Sequence, residues 1–436
     1  MGRQPTVSIH TQGCKLNQAD SQALARQFEQ AGFTLVRTPA RANVVVLNSC
    51  TVTATSDAKA RQYLRRARRT NPDALVVATG CYAQRAKQDL AAMDAVSLVL
   101  DNRDKPQLVS TVAGRLDAAP VRSMASGASP LDLYAGRTRA MVKIQEGCDQ
   151  VCAYCIVPKV RGRERSIPPE EIIAQINGRA AEGCREAVLT GTQLGTYGFD
   201  LPDISLRDLV ARILAETTVD RLRVSSLQAQ EITPELLDLW QDPRLCPHFH
   251  IPLQSGSDTI LRAMRRRYDT ARFAETVELV RSRIPDAGIT TDIIAGFPGE
   301  GVREFAESYS FAASMGFSDM HVFPYSIRPG TSAAHLGGQV NDARKQERTG
   351  ELLELAAAAG LEFRRAALGQ TRPVLWKPAG LDNRPKSADG YWTGLTDNYL
   401  RVRAQSDQDL GNVIKDVRLT GLPKEMDHGL VTGEVV

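Results

Sequence analysis

Three cysteines in one short stretch, Cys148, Cys152 and Cys155 of MVKIQEGCDQVCAYCIVPKVRGRERS, carry the strongest chemical signal in the chain. Three residues separate the first pair and two the second. A structural zinc ion takes four protein ligands in a tetrahedron, so three thiolates on one loop leave such a site one ligand short. They suit a 4Fe–4S cubane in which sulfur holds three irons and the fourth stays open to a small chelating ligand. Tyr154, inside the last pair, offers an aromatic face for a base. The competing reading is a zinc site that borrows its fourth ligand from elsewhere in the chain.

A second set is spread wider. Cys14, Cys50 and Cys81 lie 36 and 31 residues apart, about one strand-plus-helix repeat each. Each follows a β-prone run: Thr6–His10, then Asn43–Leu47 (NVVVL), then Ala74–Ala78 (ALVVA), with a helical stretch after each cysteine. Strands alternating with helices predict an open parallel α/β sheet built from right-handed crossovers. All three thiols then fall beyond the carboxyl ends of neighbouring strands, where such sheets bind ligands. One cysteine at a strand end is most simply a buried apolar residue. The same placement in three successive units points to a second cluster with an open iron.

The elements around Cys148 read as a longer series of the same kind. Met141, Val142 and Ile144 predict a strand leading into the loop. Further strands are expected at Ala187–Leu189, Arg221–Ser225, Phe249–Leu253, Thr290–Ala295 and Met320–Tyr325, each separated by helical sequence, with a long helix from about Ala343 to Ala367. Six βα units fall short of the eight that close a TIM barrel, so the expected core is a partial (βα)6 barrel with the cysteine loop at its carboxyl face. Residues 366–436 carry five short β-prone runs broken by Gly, Pro, Asn and Asp, which predicts a small OB-like β-barrel. Between the first two units, Arg115–Leu131 is aperiodic and rich in Ala, Ser, Gly and Pro, and reads as a linker. The expected units are therefore residues 4–118, 134–365 and 366–436.

Composition narrows the setting. Eight cysteines, six of them in two sets of three, argue for metal ligation in a reducing compartment rather than for disulfides. No apolar run is long enough to span a bilayer, so a cytoplasmic protein without a membrane partner is expected. The net charge is only +4, but residues 1–118 hold 16 Lys and Arg against 9 Asp and Glu, whereas residues 366–436 hold 9 of each. Part of the N-terminal excess lies on one predicted helix, Asp57–Arg69, with Ala60, Leu64 and Ala67 as its apolar stripe and Arg61, Arg65 and Arg68 among the cations on the rest. That surface is either a solvated face or a contact for RNA phosphates.

C-x-x-x-C-x-x-C with an aromatic residue before the last cysteine resembles the signature of the radical S-adenosylmethionine (SAM) enzymes. A three-cysteine module ahead of it resembles the methylthiotransferase family. TQGCKLNQADS and NSCTVTATSDAKARQ are similar to the branch acting on threonylcarbamoyl-adenosine in tRNA, with Asp20 and Ser49 where Glu and Thr are usual. The resemblance implies SAM on the open iron of a Cys148/Cys152/Cys155 cluster, cleaved to a 5′-deoxyadenosyl radical. It also implies a Cys14/Cys50/Cys81 cluster that delivers sulfur, an electron donor, a sulfur source, and a tRNA anticodon loop presenting adenosine 37. Tyr154, Gly191, Thr192 and Gly296, the last three at strand ends in LTGTQLGTYG and TDIIAGFPGE, become expected SAM contacts. Arg161, Arg163 and Arg165 become candidates for the SAM carboxylate or RNA phosphate. TDNYLRVR resembles the RNA-binding TRAM domain, in which Tyr391, Trp392 and Tyr399 could stack on bases. Isopentenyl-adenosine tRNA and a ribosomal-protein aspartate are the neighbouring substrate branches, and a non-catalytic RNA-binding metalloprotein is the rival of another class.

Overall fold

Runs of β-branched residues build the N-terminal sheet. The computed structural model describes residues 4–116, 138–378, 390–423 and 429–436. Strands β1 (Thr6–Gln12), β2 (Thr34–Leu35), β3 (Val44–Ser49), β4 (Leu75–Gly80) and β5 (Leu98–Val99) pair in parallel in the order β2-β1-β3-β4-β5. All six residues of β3 are buried, as a central strand covered on both faces requires. The two edge strands are two residues each, too short to leave a periodicity, which is why the sequence predicts only three strands. Register matters most here: Gln12 pairs with Ser49, and Ser49 with Gly80. The three cysteine-bearing strands therefore end level with one another.

The core follows with β6 (Arg139–Lys143), the short antiparallel pair β7 (Gln145–Glu146) and β8 (Arg165–Ser166), and then β9 (Glu186–Thr190), β10 (Arg221–Val224), β11 (His248–His250), β12 (Gly288–Ala295) and β13 (Asp319–Pro324). Strands β6-β9-β10 and β11-β12-β13 form two parallel sheets, and parallel bridges Ser226–His250 and Leu222–Leu245 connect them. Six parallel strands with helices packed outside give the partial barrel expected. Ala140, Val142, Ala187, Leu189, Leu222, Val224, Ile289 and Ile293 share one large apolar core with those helices. The alternate residues of each strand accordingly face the lumen. The free edge at β6 is covered by the helix Lys15–Gln30 of the N-terminal unit. There Ala19 packs on Met141 and Val188, and Gln22 Oε1 accepts the Met141 N–H at 3.0 Å.

Strands β14 (Thr371–Trp376), β15 (Tyr391–Thr396), β16 (Arg401–Gln405), β17 (Ile414–Gly421) and β18 (Leu430–Val435) close a barrel in the order β14-β15-β16-β18-β17 around Trp376, Trp392, Val402 and Val431. It sits at the amino end of the core strands. Arg221 and Arg223 donate to the carbonyls of Leu395 and Asp397 at 3.1 and 2.9 Å, and Arg372 pairs with Asp286 at 3.2 Å. Tyr399, held at φ 79°, stacks its ring on His248 with centroids 4.2 Å apart. Positive φ is costly for a bulky residue and persists only where packing over-determines it, as this docking does. Most of the expected linker, 117–131, lies outside the described residues.

Candidate active site

Cys148 leaves the β7 strand through Gly147, whose φ of 81° and backbone contacts to Arg163 leave no room for a side chain. The loop turns so that the Gln150 N–H points at Cys148 Sγ (3.4 Å) and the guanidinium of Arg266 at Cys152 Sγ (3.4 Å). N–H groups aimed at sulfur stabilise thiolate ligands. Burial pushes the Cys155 thiol up to about 12 and the Cys148 thiol up to about 11, so the bare pocket disfavours the charge that a bound iron would stabilise. All eight cysteines are free. Around a single tetrahedral ion, thiolate sulfurs stand about 4 Å apart. Among the described residues, the only set of three His, Cys, Asp or Glu ligand atoms within 4.8 Å of one another is His250, Asp292 and His321. Neither cysteine set is drawn together in that way.

The second set lies beside the first. Cys81 packs against Ile156 and Val160, immediately beyond Cys155. Cys50 sits so close to Gly13 that a Cβ there would stand 2.9 Å from the Cys50 Cβ. Burial pushes the Cys50 thiol up to about 12, with the Val52 N–H directed at its sulfur at 3.3 Å. Two buried ion networks tie this layer to the core. Asp20 accepts from Lys105 and Arg161 at 2.8 Å and from Lys143 at 3.0 Å. Burial opposes its ionisation, yet those cations hold its carboxyl well below the usual range. Asp57, beyond Cys50, accepts from Arg85 at 2.6 Å and from Arg328 at 2.5 Å.

Arg161 departs from expectation. Its side chain is 2 % exposed, with Nη1 on Asp20 and Glu146 and Nε directed at Cys81 Sγ at 3.1 Å. It is therefore buried between the two cysteine layers, with Nη2 left without a hydrogen-bond partner, and is not open to RNA phosphate, whereas Arg163 and Arg165 are 89 % and 77 % exposed. The sequence flagged Asp20 only as a variant residue, and its partners lie 85 to 141 positions away, beyond any local pattern.

Of the other expected contacts, Gly191 and Thr192 lie over Gln145, whose Oε1 accepts the N–H groups of Thr192 and Gln193 at 2.9 Å. The Thr192 hydroxyl is buried without a partner, which leaves a polar atom free for a bound molecule. Tyr154 packs edge-on to Phe297. Gly296 has φ 75°, and a Cβ there would meet the Lys345 stem at 2.5 Å, so the turn itself accounts for this glycine. Trp392 lies in the small barrel's core and Tyr399 is taken by His248, so neither is free for a base.

The basic helix, Ala54–Thr70, is capped by Thr53 and buries Ala60, Leu64 and Ala67 as expected. Two of its three named cations are occupied. Arg68 donates to the carbonyls of Pro72 and Ala74 and to Ser97 Oγ, and Arg61 donates to the Tyr82 hydroxyl at 2.7 Å. Arg65 is exposed, together with Lys59, Arg66 and Arg69.

The six-stranded partial barrel and its three-cysteine loop are those of a radical-SAM enzyme, a class that uses SAM and a 4Fe–4S cluster. Residues 142–312 match the Radical SAM superfamily, and residues 6–101 match a family described as Uncharacterized protein family UPF0004. The chain is 36 % identical to the threonylcarbamoyladenosine tRNA methylthiotransferase MtaB of Bacillus subtilis, over 94 % of this chain and 93 % of that one. The Aquifex aeolicus protein of the same name is 35 % identical over 94 % and 99 %. A tRNA-2-methylthio-N(6)-dimethylallyladenosine synthase of Moorella thermoacetica is 33 % identical over 99 % and 98 %. In fold, the chain is similar to the radical SAM methyltransferase TsrM of Kitasatospora setae, with a TM-score of 0.54 at 14 % identity, covering 76 % of this chain and 77 % of that one. The chain belongs to the radical-SAM methylthiotransferase family. No helix among its described residues is long and apolar enough to cross a membrane.

Proposed function

We propose that this protein attaches a methylthio group to C2 of N6-threonylcarbamoyladenosine at tRNA position 37, beside the anticodon, in the cytoplasm. The observation that carries this reading is the end-to-end similarity, at 36 % and 35 % identity, to two tRNA methylthiotransferases named for that nucleoside. Cys148, Cys152 and Cys155 would hold the SAM-binding cluster, and Cys14, Cys50 and Cys81 a second 4Fe–4S cluster. When bound, the two clusters and SAM supply a carbon radical and a methylated sulfur, chemistry that side-chain acids and bases cannot provide at an aromatic C–H.

The chain's own residues bind and orient. Gln145 fixes the Thr192–Gln193 turn, whose free hydroxyl is available to SAM. Arg266 and the Gln150 N–H steady the first set of sulfurs, and Arg161 steadies Cys81. Residues 4–118, 134–365 and 366–436 act as sulfur-delivering, radical-generating and TRAM-like RNA-binding units. The exposed cations of the helix Ala54–Thr70 add a phosphate contact. An electron donor and a sulfur source complete the partners.

Nucleoside mass spectrometry of tRNA from cells lacking the gene tests the reading. The 2-methylthio derivative of N6-threonylcarbamoyladenosine should vanish and its unthiolated parent accumulate. The dimethylallyl-adenosine branch, supported by the Moorella relative, predicts loss of the other methylthio nucleoside instead.

A further inference from the structure

Strand alternation directs Arg139, Glu186, Arg223, His248, His250, Asp292 and His321 into the barrel lumen, opposite the residues of the outer apolar core. At the amino end this lining is closed and paired. Glu186 is fully buried and takes Arg223 at 3.0 Å and Arg139 at 3.6 Å, while Tyr399 covers His248. One step towards the carboxyl ends, Asp292 lies 3.2 Å from His250 Nε2 and 3.1 Å from His321 Nδ1, and His250 Nδ1 is 2.9 Å from Thr290 Oγ1. Both nitrogens of His250 are thus engaged. His321 is 53 % exposed and contacts Asp292 through Nδ1, so its Nε2 is the nitrogen left for a ligand.

Lys15 reaches the same space from the first turn of the helix Lys15–Gln30, directly after Cys14. It faces the Tyr399 ring and the charges of Arg139, Arg223 and Glu186, and its own charge is felt at His321. Its ammonium lies 5.9 Å from the Tyr399 ring and makes no hydrogen bond or ion pair among the described residues. A half-buried cation that has an aromatic face but no counter-charge is incompletely compensated, and a bound anion supplies the missing partner.

Two occupants suit this lumen. The His250–Asp292–His321 spacing would also hold a divalent metal ion. Against that, the one carboxylate of the set is already shared by two imidazoles. Arg139 and Arg223 are taken by Glu186, which leaves Lys15, whose charge reaches His321, as the cation without an ion pair. An unpaired cation beside an open imidazole favours an anion. We infer that Lys15 and His321 form an anion subsite that receives the carboxylate of the threonylcarbamoyl group, so that these two residues set the substrate branch. The inference rests on the proposed function. It adds a reason for selectivity: a dimethylallyl group carries no charge and would leave Lys15 unpaired.

The test compares two anticodon stem-loops, one carrying N6-threonylcarbamoyladenosine and one carrying its carboxyl methyl ester, with iron per chain measured for every variant. The wild-type protein should prefer the acid by about 10- to 100-fold in kcat/KM, the range of one or two charge-assisted hydrogen bonds. Lys15→Met should bring that preference to within about threefold, with the change in KM rather than kcat, and Lys15→Arg should restore most of it. His321→Gln should remove part of it, and carries the comparison should Lys15→Met lose iron. Equal loss on both substrates with the preference intact would mark Lys15 as merely structural and overturn the inference. So would a wild-type enzyme indifferent to the ester, or a stoichiometric zinc lost in Asp292→Asn. A wild-type enzyme that thiolates only the dimethylallyl stem-loop overturns the substrate reading itself, a separable result.

Discussion

The two sets of three cysteines stand out in the sequence because one is closely spaced and the other recurs at strand ends, and the fold brings the two sets side by side. The residues that adjust them do not stand out. Arg161 follows the cysteine loop as one of three alternating arginines, and nothing local separates it from exposed Arg163; its meaning comes from Asp20 and Cys81, supplied by another sheet. Both kinds of residue can be tested. Cys148→Ala, Cys152→Ala or Cys155→Ala should each abolish formation of 5′-deoxyadenosine from SAM, since a cubane with two thiolates cannot keep its site-differentiated iron; chromatographic detection of that product from any of the three would contradict the ligand assignment. Arg161→Gln withdraws an N–H donor from Cys81 Sγ, and hydrogen bonds to sulfur raise cluster potentials. In a titration followed by electron paramagnetic resonance, the second cluster's midpoint should move to more negative potential while the first stays in place. A shift confined to the first cluster, or none, would leave Arg161 as a packing residue only.

At the scale of elements, periodicity locates the strands that carry chemistry and misses those too short to have a period, β2, β5 and the β7–β8 pair. It also sets the apolar stripe of the helix Ala54–Thr70 correctly, while leaving the fate of its cations open. Arginine's long stem lets it turn back onto carbonyls, as Arg68 does onto Pro72 and Ala74, and the sequence does not distinguish that from solvent exposure. The exposed arginines of this helix are therefore Arg65, Arg66 and Arg69. Reversing these three to Glu should weaken tRNA binding and flatten the slope of log affinity against log salt by at least about 2, at roughly 0.7–0.9 for each phosphate no longer neutralised. SAM cleavage in the absence of tRNA should persist. Filter binding across a salt series decides it, and an unchanged affinity and slope would make this a solvated face.

For the whole molecule, the sequence can announce three units but not how they meet, because the contacts join residues far apart in the chain. Arg328 reaches Asp57, Arg223 reaches the Asp397 carbonyl, and Arg161 reaches Cys81. The first and last of these hold the two cysteine layers against each other while leaving each layer on its own sheet, and the second docks the small barrel. Separate sheets imply separable activities. Replacing Cys14, Cys50 and Cys81 together by Ala should halve the iron, from about eight per chain to about four. The variant should still release 5′-deoxyadenosine from SAM, yet form no methylthio-adenosine and accumulate no methyl group on acid-labile sulfide. Cys81 also packs on Ile156 and Val160, so removing its sulfur opens a gap beside the first loop. A circular dichroism melt must accompany the assay: with the melt preserved, loss of both activities would mean that the radical site needs the second cluster, and the two activities would not be separable. A full iron complement in the triple variant, or continued methylthiolation of tRNA, would rule out a second cluster on these three cysteines.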